Sequence, residues 1–363
     1  LEEVGGKNRT VLLVSDFADK KTMAGTERII YGIEEWFTKN SRFNIQILTC
    51  PPELLQKGLK RTFYYFGELR KFYKKEKFDI IQPFYTLPPM LASLLFKIFH
   101  PRVKVVINWF ENYPLEEHME SPKEKMFYRM FAIPLLMKAD FMVFLMPSLQ
   151  EHFATKFFSK CPQDRMKTIM GWAAEKFKAN RIETDKKVIL FVGRLTESKG
   201  PFVLLRAFAK IKDRTDANLV FVGYPYEKEK AEQIIAELKL NDRATILGSV
   251  TDEQLIEWYN KSYIVSVPTL AKGGGFVNAL MESMACGVPI VTTNTIGISD
   301  MLGDAGLMAN VGDVDDLAGK LLQILDDPEF YEKLRSNAIR RSEQFRIGIQ
   351  MQKYKEIYEK LAE

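Results

Sequence analysis

The sequence is short of the residues that build many kinds of site. It has three cysteines, three histidines and no apolar run long enough to cross a bilayer. Cys50, Cys161 and Cys286 are odd in number and far apart, so neither a disulfide framework nor a zinc cluster is indicated, and a reducing compartment fits best. His100, His118 and His152 lack metal-ligand spacing, and no Ser-His-Asp or catalytic-cysteine arrangement stands out. The longest apolar stretches are interrupted, residues 91–98 by Lys97 and 131–146 by Lys138 and Asp140. We read no transmembrane helix and no signal peptide, and expect a cytoplasmic protein. Internal repeats and low-complexity tracts are also missing.

What is present is an alternation. Short β-branched runs trade places with helical patterns along all 363 residues, which argues for βαβ units and parallel sheets in two domains. Strands are expected at 11–14, 44–48, 80–84, 103–108 and 141–145 in the first half. In the second half they are expected at 188–192, 219–222, 245–247, 264–267 and 290–292. Each set suffices for one doubly wound sheet. The polar stretch 174–187 reads as a linker, and an amphipathic segment, 350–361, ends the chain. Ligands of open α/β sheets sit at the carboxyl ends of the strands.

Two places at such strand ends carry chemistry. After the strand at 188–192 come Gly193-Arg194, then Lys199-Gly200, then a helical pattern over 201–211. This sets one fork-shaped cation and one point charge on a single loop. The second place is Gly273 to Pro289, where a glycine-rich loop leads into a short helix bearing Glu282. A helix N-terminus there aims unsatisfied N–H groups at one point and suits a phosphate. Taken singly, these are also what a tight turn and two solvated charges look like. Taken together they supply what a nucleoside diphosphate needs, cations for the phosphates and a carboxylate for the ribose hydroxyls.

The ordered set Phe191-Val-Gly-Arg-Leu-Thr-Glu-Ser-Lys-Gly200, Val267-Pro-Thr269, Gly275-Phe276, Glu282-Ser-Met-Ala-Cys-Gly-Val-Pro289 and Gly312-Asp313-Val-Asp-Asp-Leu317 resembles the retaining glycosyltransferases of family 4. The likeness extends to the first half through Ala24-Gly25-Thr26-Glu27-Arg28, Ala139-Asp140 and Gly171 to Phe177. It implies a GT-B fold, two doubly wound Rossmann-like domains facing a central cleft. The domains would be 1–175 on the acceptor side and 183–347 on the nucleotide-sugar side, with a helix at about 348–363 packing back on the first. It also implies metal-independent transfer, without a cofactor, from a UDP- or GDP-linked sugar. Arg194 and Lys199 would hold the diphosphate and stabilise the departing charge, and Glu282 would bind the ribose. Gly193, Gly274, Gly275, Phe276, Val277 and Asn278 would line the phosphates, Gly25 would approach from the other domain, and Ser249 and Val250 would face the base.

Two positions depart from the pattern. The earlier glutamate that commonly contacts the donor sugar is replaced by Gly274, and the usual histidine after the fourth strand is missing from 107–113. Asn108 or Glu111 would take its place, with Glu111 the catalytic candidate. A non-catalytic nucleotide-sugar-binding or scaffold member of the fold is one alternative. A UDP-sugar epimerase is another, disfavoured because it calls for acid and base side chains that are scarce here.

The net charge of +5 is uneven, +8 over residues 1–180 and −3 over 181–363. Much of the excess lies between Lys57 and Lys77, where basic residues interleave with Phe63, Tyr64, Tyr65, Phe66, Phe72 and Tyr73. This reads either as a solvated helix with its aromatics on the core or as a peripheral contact with anionic lipid, which would suit a lipid-linked or membrane-surface glycan acceptor. Nucleic acid is a poorer partner, since no recognition module is visible. Asp313-Val-Asp315 is expected to cap a helix, not to bind a metal.

Overall fold

The computed structural model describes residues 9–16, 25–55, 58–84, 86–109, 126, 128–156, 161–270, 278–295 and 297–363. The chain divides into two compact units, Leu1–Gly171 with Gly348–Glu363, and Trp172–Ile347.

The first unit runs β1 (Thr10–Ser15), α1 (Gly25–Asn40), β2 (Asn44–Thr49), α2 (Gly58–Lys75), β3 (Ile80–Pro83), α3 (Leu87–Phe99), β4 (Lys104–Trp109), α4 (Ile133–Leu136), β5 (Phe141–Phe144), α5 (Pro147–Lys156) and β6 (Met166–Thr168). Its strands form one six-stranded sheet in the order β2-β1-β3-β4-β5-β6, all parallel. Every residue of β1, β3 and β5 is buried. A parallel sheet covered by helices on both faces demands this, and it explains why these strands read as unbroken apolar runs.

The second unit runs β7 (Val188–Val192), α6 (Pro201–Ile211), β8 (Asn218–Val222), α7 (Lys228–Glu237), β9 (Ala244–Gly248), α8 (Asp252–Lys261), β10 (Ile264–Val267), α9 (Asn278–Ala285), β11 (Ile290–Thr293), α10 (Ile298–Leu302), β12 (Gly306–Ala309), α11 (Val314–Leu325) and α12 (Pro328–Ser342). Its sheet has the order β12-β11-β10-β7-β8-β9. The chain builds outward from β7 to β9 and then returns to the other side of β7 to lay down β10. That reversal creates a topological switch point between β7 and β10, where ligands of such sheets bind.

All ten strands read from the sequence form. Two more, β6 and β12, are short and lie at sheet edges. Residues 174–187 contain neither helix nor strand, and Asn260 on α8 holds them. The Asn180 N–H donates to its Oδ1 at 2.6 Å, and its Nδ2 donates to the Lys178 carbonyl at 3.3 Å.

The last helix, α13 (Ile347–Ala362), belongs to the first unit. A buried polar chain fixes it there. Asn108 Nδ2 on β4 donates to Tyr354 Oη at 2.6 Å, Gln82 Nε2 on β3 donates to Asn108 Oδ1 at 3.0 Å, and the Tyr358 hydroxyl donates to Gln82 Oε1. All four residues are buried, and burial pushes both phenols above their ordinary range. Asn108 is therefore a structural latch, buried and bonded to both Gln82 and Tyr354. Tyr354→Phe strands one Asn108 N–H in the core and should cost about 1–3 kcal/mol. Urea denaturation followed by circular dichroism measures this, and an unchanged midpoint would refute the latch.

Candidate functional site

Past Val192 the chain turns through Gly193 and Arg194 to a 3-10 turn at Glu197–Lys199, and α6 begins after Gly200. Two bonds tie this loop to the one after β10. The Thr269 hydroxyl and the Leu270 N–H both donate to the Ser198 carbonyl, at 3.0 and 2.8 Å. Gly200 has φ of +77°, and a Cβ there would lie 1.9 Å from the Pro268 carbonyl oxygen. Only glycine permits that approach. The two loops flanking the switch point are thus fastened to each other at the end of the sheet where α6 and α9 start. Arg194 is exposed and has no ion pair among the described residues, and Lys199 is half-buried.

On the other side of β7 the strand ends are stitched in series. The Gly193 N–H donates to the Val222 carbonyl at 2.9 Å, Leu195 N–H to Tyr224 at 3.0 Å, and Gly223 N–H to Gly248 at 2.9 Å. Gly223 has φ of +135° and passes so close that a Cβ would sit 2.0 Å from the Gly193 carbonyl oxygen. This brings the carboxyl ends of β7, β8 and β9 together in one ledge. Ser249 and Val250 follow directly on β9, the first exposed and the second half-buried.

Glu282 lies on α9 and is buried. Its Oε2 accepts a hydrogen bond from the Tyr259 hydroxyl at 2.8 Å, so a tyrosine of α8 fixes the carboxylate. Sequence reasoning missed Tyr259. Asn278 opens α9, and Gly25 opens α1 in the first unit. Gly274, Gly275, Phe276, Val277 and Glu111 lie outside the described residues. Of the expected site residues, Gly193, Arg194, Lys199, Ser249, Val250, Asn278 and Glu282 lie on the second unit.

A second polar centre went unread. Asp16, at the carboxyl end of β1 beside the β1/β3 switch point, is buried. It accepts from Tyr65 Oη at 2.8 Å and from the Thr86 hydroxyl, and pairs with Arg61 at 3.3 Å. The only signal was a carboxylate at a strand end.

Asp313 caps α11, its carboxylate accepting from the Asp315 and Asp316 N–H groups at 3.0 Å each. Among the described residues no group of His, Cys, Asp or Glu could hold a metal ion, and no helix is long and apolar enough to cross a membrane. Cys286 packs in the core, where burial pushes its thiol up to about 12, and burial also raises Cys50 and Cys161. Buried thiols whose ionisation is disfavoured are poor nucleophiles. Ellman's reagent should titrate none in the native protein and three after denaturation.

Comparison with known proteins agrees with this architecture. Residues 173–341 match the family described as Glycosyl transferases group 1. The match spans a little under half of the chain. N-acetyl-alpha-D-glucosaminyl L-malate synthase of Bacillus anthracis is 31% identical over 181 residues, covering 49% of this chain and 46% of that protein. The chain spans about half the length, or less, of the curated relatives it matches. The crystal structure of a Rickettsia africae glycosyltransferase superposes with a TM-score of 0.81 at 18% identity, covering 99% of this chain and all of that one. An Anabaena protein solved in complex with UDP gives a TM-score of 0.74 at 16% identity, covering 97% and 100%. At such identities the likeness concerns the fold, which is GT-B.

Proposed function

We propose that this chain is a glycosyltransferase of group 1 that moves a sugar from a nucleoside diphosphate donor to an acceptor, with retention of the anomeric configuration. The observation that carries this is the fastening of the Arg194 to Gly200 loop onto the Pro268 to Leu270 loop at the β7/β10 switch point. It holds the backbone that carries Arg194 and Lys199 against the loop that follows β10. The Arg194 guanidinium fits a phosphate edge through two parallel N–H bonds, Lys199 adds a point charge, and the helix end adds oriented N–H dipoles. Glu282, oriented by Tyr259, accepts from the ribose hydroxyls.

Such an arrangement does its work on the leaving group. As the bond between sugar and phosphate breaks, negative charge builds on the departing diphosphate, and fixed cations bind that charge more strongly than they bind the intact donor. They take over the part a metal ion plays in other enzymes. Attack by the acceptor hydroxyl from the face the nucleotide leaves gives retention without a covalent enzyme intermediate. Uridine is the first base to try, since the Anabaena protein of the same fold was solved with UDP. Incubation with UDP-glucose, UDP-N-acetylglucosamine and GDP-mannose tests the reading through nucleotide release and the anomeric configuration of the product by NMR. A chain that binds no nucleoside diphosphate would overturn it.

The acceptor reading concerns α2. Five of its six aromatics, Tyr64, Tyr65, Phe66, Phe72 and Tyr73, are buried or half-buried against the first unit's core, so most of the aromatic signal in Lys57 to Lys77 is core packing. A smaller surface remains. Leu59 and Phe63 on α2 are exposed, as are Ile98 and Phe99 on α3, and Phe99 meets Phe66 edge-on at 6.0 Å. Lys60, Arg70, Lys74 and Lys75 are exposed on the same helix, α2. This combination supports an acceptor presented at an anionic membrane surface. Liposome sedimentation should show binding that needs anionic lipid, weakens with salt and falls on Leu59→Ser with Phe63→Ser. Undiminished binding by that double variant would exclude this surface.

A further inference from the structure

We infer that Tyr224 and Tyr226 are the stacking platform for the nucleobase of the donor, an inference that rests on the donor site proposed above. Both follow β8, and both rings are exposed, Tyr224 by 60% and Tyr226 by 59%. Their centroids are 4.6 Å apart with the planes at 54°.

Exposed aromatics on a slack loop would carry little weight, and this segment is firmly mounted. The Leu195 N–H donates to the Tyr224 carbonyl at 3.0 Å, the Glu227 N–H donates back to the Leu195 carbonyl at 3.0 Å, and the Tyr226 N–H closes on the Tyr224 carbonyl at 3.1 Å. The Glu227 carboxylate accepts from the Glu197 N–H at 2.6 Å, and Lys230 pairs with both Glu197 and Glu227. Pro225 between the rings fixes its own φ. The two tyrosines are thus anchored to the residue that follows Arg194. Rigid rings with few rotatable bonds offer contact area at low entropic cost.

Their place on the ledge selects the base over the sugar. Phosphates held by Arg194 and Lys199 sit over the end of β7, and adjacent strands are about 4.8 Å apart, so β8 lies one spacing away and β9 two. Ser249 and Val250, read above as facing the base, follow β9 directly. The nucleoside therefore extends from β7 toward the β8 and β9 ends. There the Gly223 to Gly248 bond sets the tyrosine segment beside the β9 loop. The donor sugar lies beyond the diphosphate, away from these rings.

Isothermal titration calorimetry with UDP, GDP and inorganic pyrophosphate tests the assignment. Tyr224→Ala with Tyr226→Ala should weaken nucleoside diphosphate binding by about tenfold or more, the effect of losing a base-stacking contact. Pyrophosphate binding should not change, and Tyr224→Phe with Tyr226→Phe should restore the nucleotide. Undiminished nucleotide affinity in the alanine pair overturns the inference. An equal loss toward pyrophosphate also overturns it, because the segment would then shape the phosphate loop only. If Arg194→Ala weakens UDP binding while the alanine pair does not, this inference falls and the donor site stands. If the unmodified protein binds no nucleoside diphosphate, both fall.

Discussion

Arg194→Ala or Lys199→Ala should lower sugar transfer by roughly 10²–10³-fold, the range seen when one preorganised stabiliser of a developing oxyanion is removed. Neither change should shift thermal unfolding much. Arg194 is exposed and has no ion pair among the described residues, and Lys199 is half-buried at the end of a short turn. The loss belongs in kcat as well as kcat/KM, because the charge these cations meet is greatest after the bond has begun to break. Arg194→Lys keeps the charge and loses the fork, so it should fall between the wild type and alanine. With two side chains in the role of the metal, transfer should survive EDTA. Near-normal turnover in either alanine variant, or activity abolished by EDTA and restored by magnesium, would contradict the assignment.

Asp16→Ala should cost about 3–5 kcal/mol of stability, the usual penalty for breaking a buried ion pair from one side. Arg61 is 12% exposed and Asp16 wholly enclosed at their 3.3 Å contact. Removing the carboxylate leaves the Arg61 guanidinium without its ion-pair partner and takes the acceptor from both Tyr65 and Thr86. Urea denaturation reads the loss, and a double-mutant cycle identifies its source. Asp16→Ala combined with Arg61→Met should be more stable than Asp16→Ala alone, since the stranded charge goes with the side chain. If the double variant is the less stable of the two, the ion pair is not what Asp16 provides.

The residues that were legible in the sequence are those whose structure follows from near neighbours. Val188 to Val192, followed by Gly193, could be read as a central strand and turn because burial on both faces forces an unbroken apolar run. Met166 to Thr168 and Gly306 to Ala309 could not, because short strands at sheet edges carry neither alternation nor a continuous apolar signature. The part Asn108 plays in holding α13 could not be read, because its partners are Tyr354, 246 positions away, and Gln82. Tyr259 and Asp16 were missed likewise, since their roles arise from pairings across the sheet. That Arg194 and Lys199 follow β7 and Glu282 follows β10 was legible because those segments stand next to their strands in the chain.

The placement of α13 has a consequence for how the protein is made. On a ribosome a domain ordinarily condenses once its last residue has emerged, and the N-terminal one goes first. Here the first unit lacks a wall of its core until Tyr354 and Tyr358 arrive to engage Asn108 and Gln82. The second unit, contiguous from Trp172 to Ile347, is complete earlier. Synthesis therefore favours an inverted order, in which the later-encoded unit matures while the earlier one waits with an open seam for the final helix.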